Sequence, residues 1–383
     1  MQIELIKKQF GQHFQTKPQG LTSAPGRVNL MGEFTDYNQG WVLPCALEFR
    51  THVAYRLTPN NTVMVRSQSF AHECDVFNID QPIVTGQYHW ANYVRAVFFV
   101  IKQQGHPLQG MQLFIDSDVP QGAGLSSSAA LQVSVAGAIT QACQLPLSTT
   151  QIALICQQAE NQFMNCQCGV MDQLVAAEGV KGKAMMIDCQ SLSLQSVSIP
   201  SELALIIINS NYQRKLVDSA YNQRRNDCET AAKLLGVNTL REVKLEHLHS
   251  NRHLLNTNQY KRALHVVTEN QRVLDTFIAL KANDLATLSR LMNESHQSLK
   301  NNFEVTVSQT NALVNICQQT LGEDAAVRMT GGGFGGAIVC LCRHLDVAKI
   351  TQSVTDQYSK QFDLSASIYV CQTGGGLQYI QFD

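Results

Sequence analysis

A glycine- and serine-rich run at residues 120–130 contains the residue types that bind phosphate. It reads Pro-Gln-Gly-Ala-Gly-Leu-Ser-Ser-Ser-Ala-Ala and joins a strand-like segment to an apolar helix. Glycine lets backbone amides approach phosphate oxygens, and the first helical turn adds unpaired N–H groups and a positive dipole end. The serines are placed to cap this helix or to reach a metal ion. The run predicts a nucleotide phosphate loop, and the alternative is an ordinary strand-turn-helix corner with serine caps.

Two familiar phosphate-binding patterns are excluded by the spacing of this run. A Walker A loop requires Lys and then Ser or Thr after its second glycine, whereas Leu125 and Ser126 follow Gly124 here. A dinucleotide fingerprint requires a third glycine near the helix start and an acidic residue after the next strand, and this run has neither. The loop therefore belongs to another class of phosphate site.

The segment at residues 24–38 places one arginine ahead of two carboxylates. It reads Ala-Pro-Gly-Arg-Val-Asn-Leu-Met-Gly-Glu-Phe-Thr-Asp-Tyr-Asn, with Arg27 first and with Glu33 and Asp36 three residues apart. Carboxylates accept hydrogen bonds from the vicinal hydroxyls of a sugar, and an arginine keeps its charge beside a phosphoryl group. The pattern predicts a site for both, and the alternative is a solvated loop with a surface ion pair.

Two further acidic residues lie in or near predicted apolar segments, where a charged side chain is unusual. Glu160 falls near the end of a predicted amphipathic helix, and Asp172 is flanked by the apolar Val170, Met171 and Leu174. A carboxylate among apolar neighbours costs free energy unless a cation or a substrate interacts with it. Asp172 is therefore predicted to be a functional acid, with a helix N-cap as the alternative.

The run at residues 329–337, Met-Thr-Gly-Gly-Gly-Phe-Gly-Gly-Ala, has five glycines in six positions between two strand-like segments. Ordering so many glycines costs conformational entropy, which indicates that the backbone must approach something closely. The run is predicted to form a wall of the active site, and the alternative is a structural hairpin with several bulges.

The elements that must position these motifs change in character along the chain. Up to about residue 200, strands mix with helices, including the alternating run Met111–Ile115 and a buried strand at Leu203–Ile208, which predicts a mixed sheet. Long helices are predicted over residues 244–262 and 274–291, and strands return at 337–342 and 367–371. We expect an α/β (α+β) protein with domains at residues 1–205 and 206–383, the second carrying the glycine-rich loop 330–336. Because no long linker separates them, a cleft is expected between the two.

Composition limits the classes of function. A chain of 383 residues that is 44% hydrophobic has material for two packed domains. A net charge of −1 without a Lys/Arg cluster argues against nucleic-acid binding, and apolar runs of at most six residues are too short to span a membrane. The first eight residues contain acid and base where a secretory signal has an apolar core, so a cytoplasmic protein is expected. The twelve cysteines are scattered without a CxxC pair and are predicted to be reduced, mostly buried thiols.

The four motifs, in this order and spacing, resemble the galacto-, homoserine, mevalonate and phosphomevalonate kinase superfamily. Within it, the segment at residues 24–38 is similar to the signature of the galactokinases. The resemblance covers nearly the whole chain and continues through residues 90–95, 160–163, 221–225 and 328–336. It implies an N-terminal mixed α/β domain, a C-terminal domain with an antiparallel sheet and helices, and an active site between them. The implied activity is ATP-dependent phosphorylation of D-galactose at its anomeric C1 hydroxyl.

The resemblance also implies residue roles. Asp172 corresponds to the catalytic aspartate beside the C1 hydroxyl, and Arg27 to the arginine that orients it and stabilises the transferring phosphoryl group. The implied sugar-binding positions are Glu33, Phe34, Thr35, Asp36, Gly169 and Tyr221. The implied ATP-binding positions are the phosphate loop Gly122, Ala123, Gly124, Leu125, Ser126, Ser127 and Ser128, with Trp90 and Tyr93 at the adenine. Ser128 and Glu160 correspond to the positions that hold Mg²⁺, and no nucleic acid, membrane or obligate protein partner is implied.

Phe34 departs from the family signature, in which a histidine occupies this position. A phenyl ring can neither donate nor accept the hydrogen bond that an imidazole makes, so the sugar preference stays open. The alternatives are a kinase of a related sugar, such as N-acetylgalactosamine or arabinose, and a sugar-sensing regulator on the same scaffold. The presence of Arg27, Ser128, Glu160 and Asp172 together favours an enzyme.

Overall fold

The computed structural model describes residues 2–212 and 217–382. Within these ranges the strands form three sheets. The strands are β1 (Gly20–Asn29), β2 (Trp41–Val42), β3 (Pro44–Leu57), β4 (Thr62–Ser67), β5 (Asp75–Asn78), β6 (Met111–Ser117), β7 (Lys183–Asp188), β8 (Leu194–Ser198), β9 (Leu203–Asn209), β10 (Ala326–Thr330), β11 (Ala337–Arg343), β12 (Ser367–Cys371) and β13 (Gln378–Gln381). The helices are α1 (Gln2–Phe14), α2 (His89–Gln103), α3 (Ser127–Ala142), α4 (Thr149–Gln162), α5 (Met171–Glu178), α6 (Val217–Leu234), α7 (Leu245–Ser250), α8 (Thr257–Ala282), α9 (Leu285–Ser298), α10 (Ser308–Leu321) and α11 (Val347–Gln361).

The first sheet has six strands in the order β13-β1-β3-β6-β4-β5. Its neighbours are antiparallel except β4 and β6, which run parallel, so the predicted mixed sheet is confirmed. Met111, Leu113 and Ile115 of β6 face the core that α2 to α5 share with this sheet, as their alternation predicts. Phe114 points to the other face and is buried under α1, so both faces of the strand are covered.

The second sheet is antiparallel, in the order β10-β11-β9-β12. All of β9 is buried, because Leu205 and Ile207 face a core that includes α8 and α9 while Ile206 and Ile208 face α10 and α11. A strand covered on both sides is apolar throughout, which is why the run Leu203–Ile208 identified it from sequence. The small third sheet, β2-β7-β8, connects the two larger ones through the core between them.

The two long helices predicted in the C-terminal half are wrong in their extent. The predicted helix 244–262 is divided between α7 and α8, and α8 begins after Asn256, whose side chain accepts a hydrogen bond from an amide of the first turn. The predicted helix 274–291 is divided at Asn283, which has φ +54°, and at Asp284, which caps α9 in the same way. Asn and Asp compete with helical hydrogen bonds and favour caps, and apolar periodicity alone did not register them.

The division at residues 205 and 206 stays a prediction. Strand β9, which spans that position, pairs with β11 and β12 of the second sheet. At the other end of the chain, β13 pairs with β1 in the first sheet. Among the helices of residues 2–212 and 217–382, none has both the length and the apolar character needed to cross a membrane.

Candidate active site

Most of the predicted site residues line one cleft of about 300 Å³. Its walls come from β1 and the turn after it, α2, the loop before α3, the end of α4, the start of α5, α6 and the glycine-rich loop. The predicted residues that line it are Arg27, Glu33, Phe34, Asp36, Tyr93, Gly122, Gly124, Leu125, Ser126, Ser127, Ser128, Glu160, Gly169, Asp172 and Tyr221. Segments more than 300 residues apart in sequence therefore meet at one place.

Arg27 and Asp172 form a bidentate ion pair in this cleft. Arg27 Nε donates to Asp172 Oδ1 at 2.7 Å, and Nη2 donates to Oδ2 at 2.8 Å. Ser126 Oγ donates to the same Oδ2, so both sides of the carboxylate are fixed. Asp172 lies in the first turn of α5, so the alternative of a helix N-cap is wrong, since Val170 occupies the cap. Its side chain is 28% exposed to the cleft.

The charge of Arg27 is secured by its surroundings. Burial alone would lower the pKa of Arg27, but the carboxylates of Asp172 and Glu33 raise it. Its Nη1 also donates to Gly124 O at 2.6 Å, which ties the guanidinium to the predicted phosphate loop. The arginine therefore carries a permanent positive charge between the loop and the acid.

The predicted phosphate loop has the backbone that its glycines suggest. Gly122 and Gly124 both have φ +71°, and Ser126 has φ +56° before the helix starts at Ser127. The Ser126 hydroxyl donates to Asp172. Its side chain therefore does not cap α3, in contrast to the serine cap expected from sequence. The first turn of α3 thus has no side-chain cap from Ser126, which leaves its backbone N–H groups available to a ligand.

A bulge in β1 brings that strand against the loop. The register of β1 and β3 shifts between Pro25 and Arg27, and a Cβ on the intervening Gly26 would lie 2.7 Å from Leu125 O. Arg27 N donates to the same carbonyl at 3.0 Å. The glycine is therefore required by the close approach that sets Arg27 beside the loop.

Glu160 is buried at the end of α4 and lies beside Ser128. Its carboxylate accepts hydrogen bonds from Ser128, from Cys168 Sγ at 3.0 Å and from Gln173 Nε2 at 3.0 Å. Burial raises the pKa of Glu160, and the hydrogen bonds from Cys168 and Ser128 oppose the rise. Magnesium takes oxygen ligands, commonly one or two from protein with the rest from phosphates and water. The paired carboxylate and hydroxyl at the end of the phosphate loop fit such an ion.

Glu33 is held by the glycine-rich loop and by a buried cation. Its Oε1 accepts hydrogen bonds from Gly331 N at 2.7 Å and Thr330 Oγ1 at 3.0 Å, and it lies 2.9 Å from Arg328 Nη2. The Arg328 side chain is fully buried, and an isolated cation there would be costly, so each charge compensates the other. The glycine-rich run therefore forms a cleft wall, as predicted, and its backbone also positions Glu33.

Asp36 lies against Gly169 on another side of the cleft. A Cβ on Gly169 would lie 2.1 Å from Asp36 Oδ2, so only glycine leaves room for this carboxylate. Burial, followed by the neighbouring Asp172 carboxylate, raises the pKa of Asp36 to about 7. Gly169 thus has a packing role that is sufficient to explain its presence.

Phe34 and Tyr221 form an aromatic wall. The Phe34 ring stacks on Phe303 with centroids 4.6 Å apart and lies 5.8 Å from the Tyr221 ring. The residue has φ +68°, an unusual backbone for a bulky side chain, and is 4% exposed. The phenyl group is thereby fixed at the cleft surface and offers an apolar face only.

Trp90 and Tyr93 of α2 line a neighbouring cavity of about 340 Å³. This cavity shares Tyr93, Ser127 and Ser128 with the main cleft. Trp90 stacks on Phe70 with centroids 5.4 Å apart and donates its indole N–H to Glu73. The structure therefore places two aromatic residues beyond the phosphate loop, where a base attached to the phosphates could lie.

Two predicted site residues lie behind the cleft surface. Ala123 is buried in the core that includes the second sheet. Thr35 is buried, and its hydroxyl donates to the backbone oxygens of Gly32 and Trp41. Thr35 therefore stabilises the turn that carries Glu33 and Asp36, and its side chain is not available to a sugar.

Several cleft residues were missed from the sequence. They are Pro120, Cys166, Cys168, Met171, Asn222, Gly331 and Gly332. The two glycines belong to a run that was predicted to form a wall without any residue being chosen. Cys166 and Cys168 precede Gly169 by one to three residues, and that proximity was the available signal. Asn222 follows Tyr221 on α6 and lies in the segment 221–225 that carries the family resemblance, which was its available signal.

Comparisons with known proteins agree with this geometry. The chain matches the GHMP kinases N-terminal domain over residues 92–180 and the GHMP kinases C-terminal domain over residues 276–360. Among solved structures, the mevalonate kinase of Methanococcus jannaschii is 14% identical, covers 93% of this chain and 98% of its own, and superposes with a TM-score of 0.65. A D-glycero-D-manno-heptose 1-phosphate kinase from Bacteriodes thetaiotaomicron is also 14% identical, with 95% and 99% covered and a TM-score of 0.64. The protein thus has the two-domain fold of the GHMP kinases.

The match is closer for one family of these kinases. Residues 8–57 match the galactokinase galactose-binding signature. The crystal structure of Lactococcus lactis galactokinase complexed with galactose is 30% identical, covers 99% of this chain and 100% of its own, and has a TM-score of 0.93. The chain belongs to the galactokinase family.

Proposed function

We propose that the protein transfers the γ-phosphoryl group of ATP to the anomeric C1 hydroxyl of D-galactose, giving galactose 1-phosphate and ADP. The observation that carries this proposal is the bidentate pair of Arg27 and Asp172, which lies between a phosphate loop and two further carboxylates. A nucleotide bound at the phosphate loop and a sugar bound at the two carboxylates would therefore meet at this ion pair. Membership of the galactokinase family supports the same sugar and the same acceptor hydroxyl.

The chain supplies positioning and charge for this reaction. Backbone amides of the loop and of the first turn of α3 bind the phosphate oxygens, and Arg27 balances the negative charge on the group in transfer. Asp172 accepts a hydrogen bond from the C1 hydroxyl and so directs the hydroxyl oxygen toward the γ-phosphorus. Its carboxylate is also the group available to receive the hydroxyl proton. Arg27 and Ser126 fix the orientation of that carboxylate.

Glu160 and Ser128 would hold Mg²⁺ with ATP, because their oxygens lie together beside the loop. When bound, the ion would neutralise part of the negative charge on the phosphates. Cys168 and Gln173 hold the Glu160 carboxylate in place through hydrogen bonds, as outer partners of a metal ligand do. Trp90 and Tyr93 would contact the adenine from the neighbouring cavity.

Glu33 and Asp36 would accept hydrogen bonds from sugar hydroxyls, and Tyr221 would face the ring. Oε1 of Glu33 already takes three partners, which makes Oε2 the oxygen suited to a sugar hydroxyl. Phe34 contributes an apolar surface at the same side, and this keeps kinases of related sugars as the alternative.

The decisive experiment is a panel of sugars in a coupled ADP-release assay, run on the wild type and on Phe34→His. We expect kcat/KM to be highest for D-galactose, with N-acetylgalactosamine and arabinose at least tenfold lower. Phe34→His changes the ranking by several-fold, because one net hydrogen bond contributes about 0.5–1.5 kcal/mol. A different preferred sugar would replace galactose in the proposal. Nucleotide binding without ADP release for every sugar would indicate a sensor.

Two lesser predictions accompany this function. The protein is expected to act in the cytoplasm and without an obligate protein partner, on the basis of its sequence composition and of the site being completed by one chain. Size-exclusion chromatography at assay concentration, compared with specific activity on dilution, tests the second of these.

A further inference from the structure

Two cysteines lie in the cleft, and the proposed reaction uses neither thiol directly. Cys166 and Cys168 are half-buried, unpaired thiols that line the same wall as Glu160 and Asp172. Cys168 also borders a second cavity of about 320 Å³ on the far side of Gly169. Small solutes therefore have access to this pair from the cleft, in contrast to the seven cysteines that are buried.

The backbone between the two cysteines is already folded for a short ring. Cys168 N donates to Cys166 O at 2.8 Å, which closes a three-residue turn. The two thiols are near enough for Cys166 to raise the pKa of Cys168. Disulfide formation requires the two Cα atoms to be within about 7 Å and the side chains to point toward each other, and a turn of this kind brings residues two apart to that range.

Glu160 contacts both cysteines. Cys168 Sγ donates to Glu160 Oε2 at 3.0 Å, and Cys166 N donates to Glu160 O at 3.1 Å. Glu160 is thus hydrogen-bonded to both cysteines, through its carboxylate and through its backbone carbonyl. The same glutamate is the one proposed to hold Mg²⁺, so a change at the sulfurs reaches the proposed metal site directly.

From this arrangement we infer that Cys166 and Cys168 form a reversible disulfide when the protein meets a hydroperoxide, and that this disulfide switches the active site off. The inference rests on the proposed kinase function. The Cys166 sulfur attacks the peroxide, the O–O bond breaks, and Cys166 becomes a sulfenic acid while its thiol proton leaves with the other peroxide oxygen as water or an alcohol. The Cys168 sulfur then attacks the Cys166 sulfur, and the departing hydroxide takes the Cys168 proton and leaves as water. Two thiols lose two electrons, and the peroxide gains them.

The disulfide would disturb the site at two points. It removes the Cys168 hydrogen bond from Glu160, and it constrains the segment that continues through Gly169 to Asp172. Gly169 has no spare room, because Asp36 lies against it. A shift of this segment would therefore displace both Asp36, proposed to bind the sugar, and Asp172, proposed to accept the hydroxyl proton. Turnover should fall by at least about tenfold.

The experiment treats the full chain with hydrogen peroxide, removes the oxidant, and measures turnover and chymotryptic peptide masses on the same sample. In the wild type we expect a peptide containing both cysteines that has lost two hydrogen atoms, and turnover that returns with dithiothreitol. Cys166→Ser should keep more than about half of its own untreated activity. Cys143→Ser, which removes a half-buried cysteine at the end of α3, is the matched control and should respond like the wild type.

Three results would overturn the inference. They are an inactivated wild type without the oxidised peptide, equal inactivation of the wild type and Cys166→Ser, and an oxidised peptide in fully active protein. Because peptide mass is measured whether or not galactose is phosphorylated, failure of the proposed function is distinguished from failure of the thiol chemistry. In that case calorimetric binding of ATP before and after oxidation reports whether the site is closed.

Discussion

Asp172 is held from two sides before any substrate arrives. Arg27 contacts both of its oxygens, and Ser126 donates to one of them, so the acid is preorganised. Its apolar sequence neighbours Val170 and Leu174 are buried on the opposite side, in the core with α3 and α4. The sequence predicted an acid in apolar surroundings, whereas the structure gives an acid in polar surroundings on an otherwise apolar helix.

Asp172→Asn should remove at least about 99% of kcat, because an amide neither receives the hydroxyl proton nor carries the assisting charge. ATP binding should change by less than about threefold, since the phosphate loop is left intact. Coupled ADP release measures the first effect and isothermal titration calorimetry the second. Asp363→Asn, at an exposed position beyond α11, is the control for loss of one carboxylate. A variant with more than about a tenth of wild-type turnover would show that the carboxylate is not required.

Asp36 gives the sugar site a pH dependence. With a pKa raised to about 7 by burial and by Asp172, its carboxylate gains a proton as the pH falls through 7 and loses its capacity as a charged acceptor. KM for galactose should therefore rise about three- to tenfold between about pH 8 and pH 6. The quantity to measure is KM for galactose, because Asp36 is assigned to the bound sugar and the groups assigned to phosphoryl transfer act on kcat. A KM that is flat across this range would contradict the assignment of Asp36.

The same shift fixes the sign of a stability effect. The folded pKa of Asp36 lies above its ordinary value of 3.8, so the folded state binds the proton more tightly and stability increases as the pH falls from about 7 toward 4. Above pH 7 the buried charge is a net cost. Asp36→Asn should then raise the free energy of unfolding at pH 8 by about 1 kcal/mol. This value is smaller than the full pKa shift would give, because water reaches the half-buried side chain and screens its charge. Loss of sugar affinity should accompany the gain.

Turns and loops, more than helices and strands, decide where the acids of the cleft lie. The short helical turn after Thr35 carries Asp36, and the loop before α5 carries Gly169 against it. The glycine-rich loop between β10 and β11 places an amide on Glu33. Each of these carboxylates is therefore positioned by a backbone segment from a different part of the chain.

Gly169→Ala should raise KM for galactose by at least about tenfold, because the added Cβ would lie 2.1 Å from Asp36 Oδ2 and one of the two must move. Steady-state kinetics with saturating ATP measure the effect, and kcat should fall as well because Asp172 lies three residues further on. Gly11→Ala in α1 is the control, since its Cβ would have only Thr16 O, at 3.7 Å and beyond the end of that helix, within 4 Å. An unchanged KM in Gly169→Ala would show that Asp36 does not contact the sugar.

The glycine-rich loops of the cleft could be recognised from the sequence, whereas the residues that contact them could not. Glycine runs at 122–124 and 331–336 stand out because glycine is costly unless a backbone position requires it, and both proved to line the cleft. The partner of Glu33 could not be predicted, because Arg328 is almost 300 residues away and its strand pattern reads as ordinary core. Helix limits failed at Asn256 and Asn283, where local capping outweighs apolar periodicity.

For the molecule as a whole, the N-terminal and C-terminal parts are joined at more than the cleft. Strand β13, close to the end of the chain, pairs with the first half of β1, and the second half of β1 carries Arg27. The cleft between two parts was predicted from the absence of a long linker, and the walls contributed by β1, α6 and the glycine-rich loop agree with it. The return of β13 was not predicted, because four exposed residues leave no apolar pattern.

Arg50 fastens this C-terminal return to the first sheet. Its guanidinium donates to the backbone oxygens of Gly375 at 2.6 Å and Gly376 at 2.7 Å, and to Ser23 O at 2.7 Å. Burial lowers the pKa of Arg50 to about 10, so the group stays charged at neutral pH and the bonds are charge-assisted. Removal of the Arg50 side chain should leave the carbonyl oxygens of Gly375 and Gly376 without this donor.

Arg50→Ala should lower the free energy of unfolding by about 2–4 kcal/mol, because the charge-assisted hydrogen bonds from Arg50 of β3 to the tail and to β1 are lost together. Urea unfolding followed by tryptophan fluorescence measures the change. Arg56→Ala is the matched control on the same strand, since Arg56 makes one exposed hydrogen bond to Lys17 O at 3.1 Å, and it should cost less than about 0.5 kcal/mol. Turnover at 25 °C should stay within about twofold in both variants, because neither arginine lines the cleft. If the two variants lost equal stability, the tail would be held by β13 pairing and by its backbone hydrogen bonds to Ala46, Ala177 and Gly179. Arg50 would then not be what joins the end of the chain to the strand that presents Arg27.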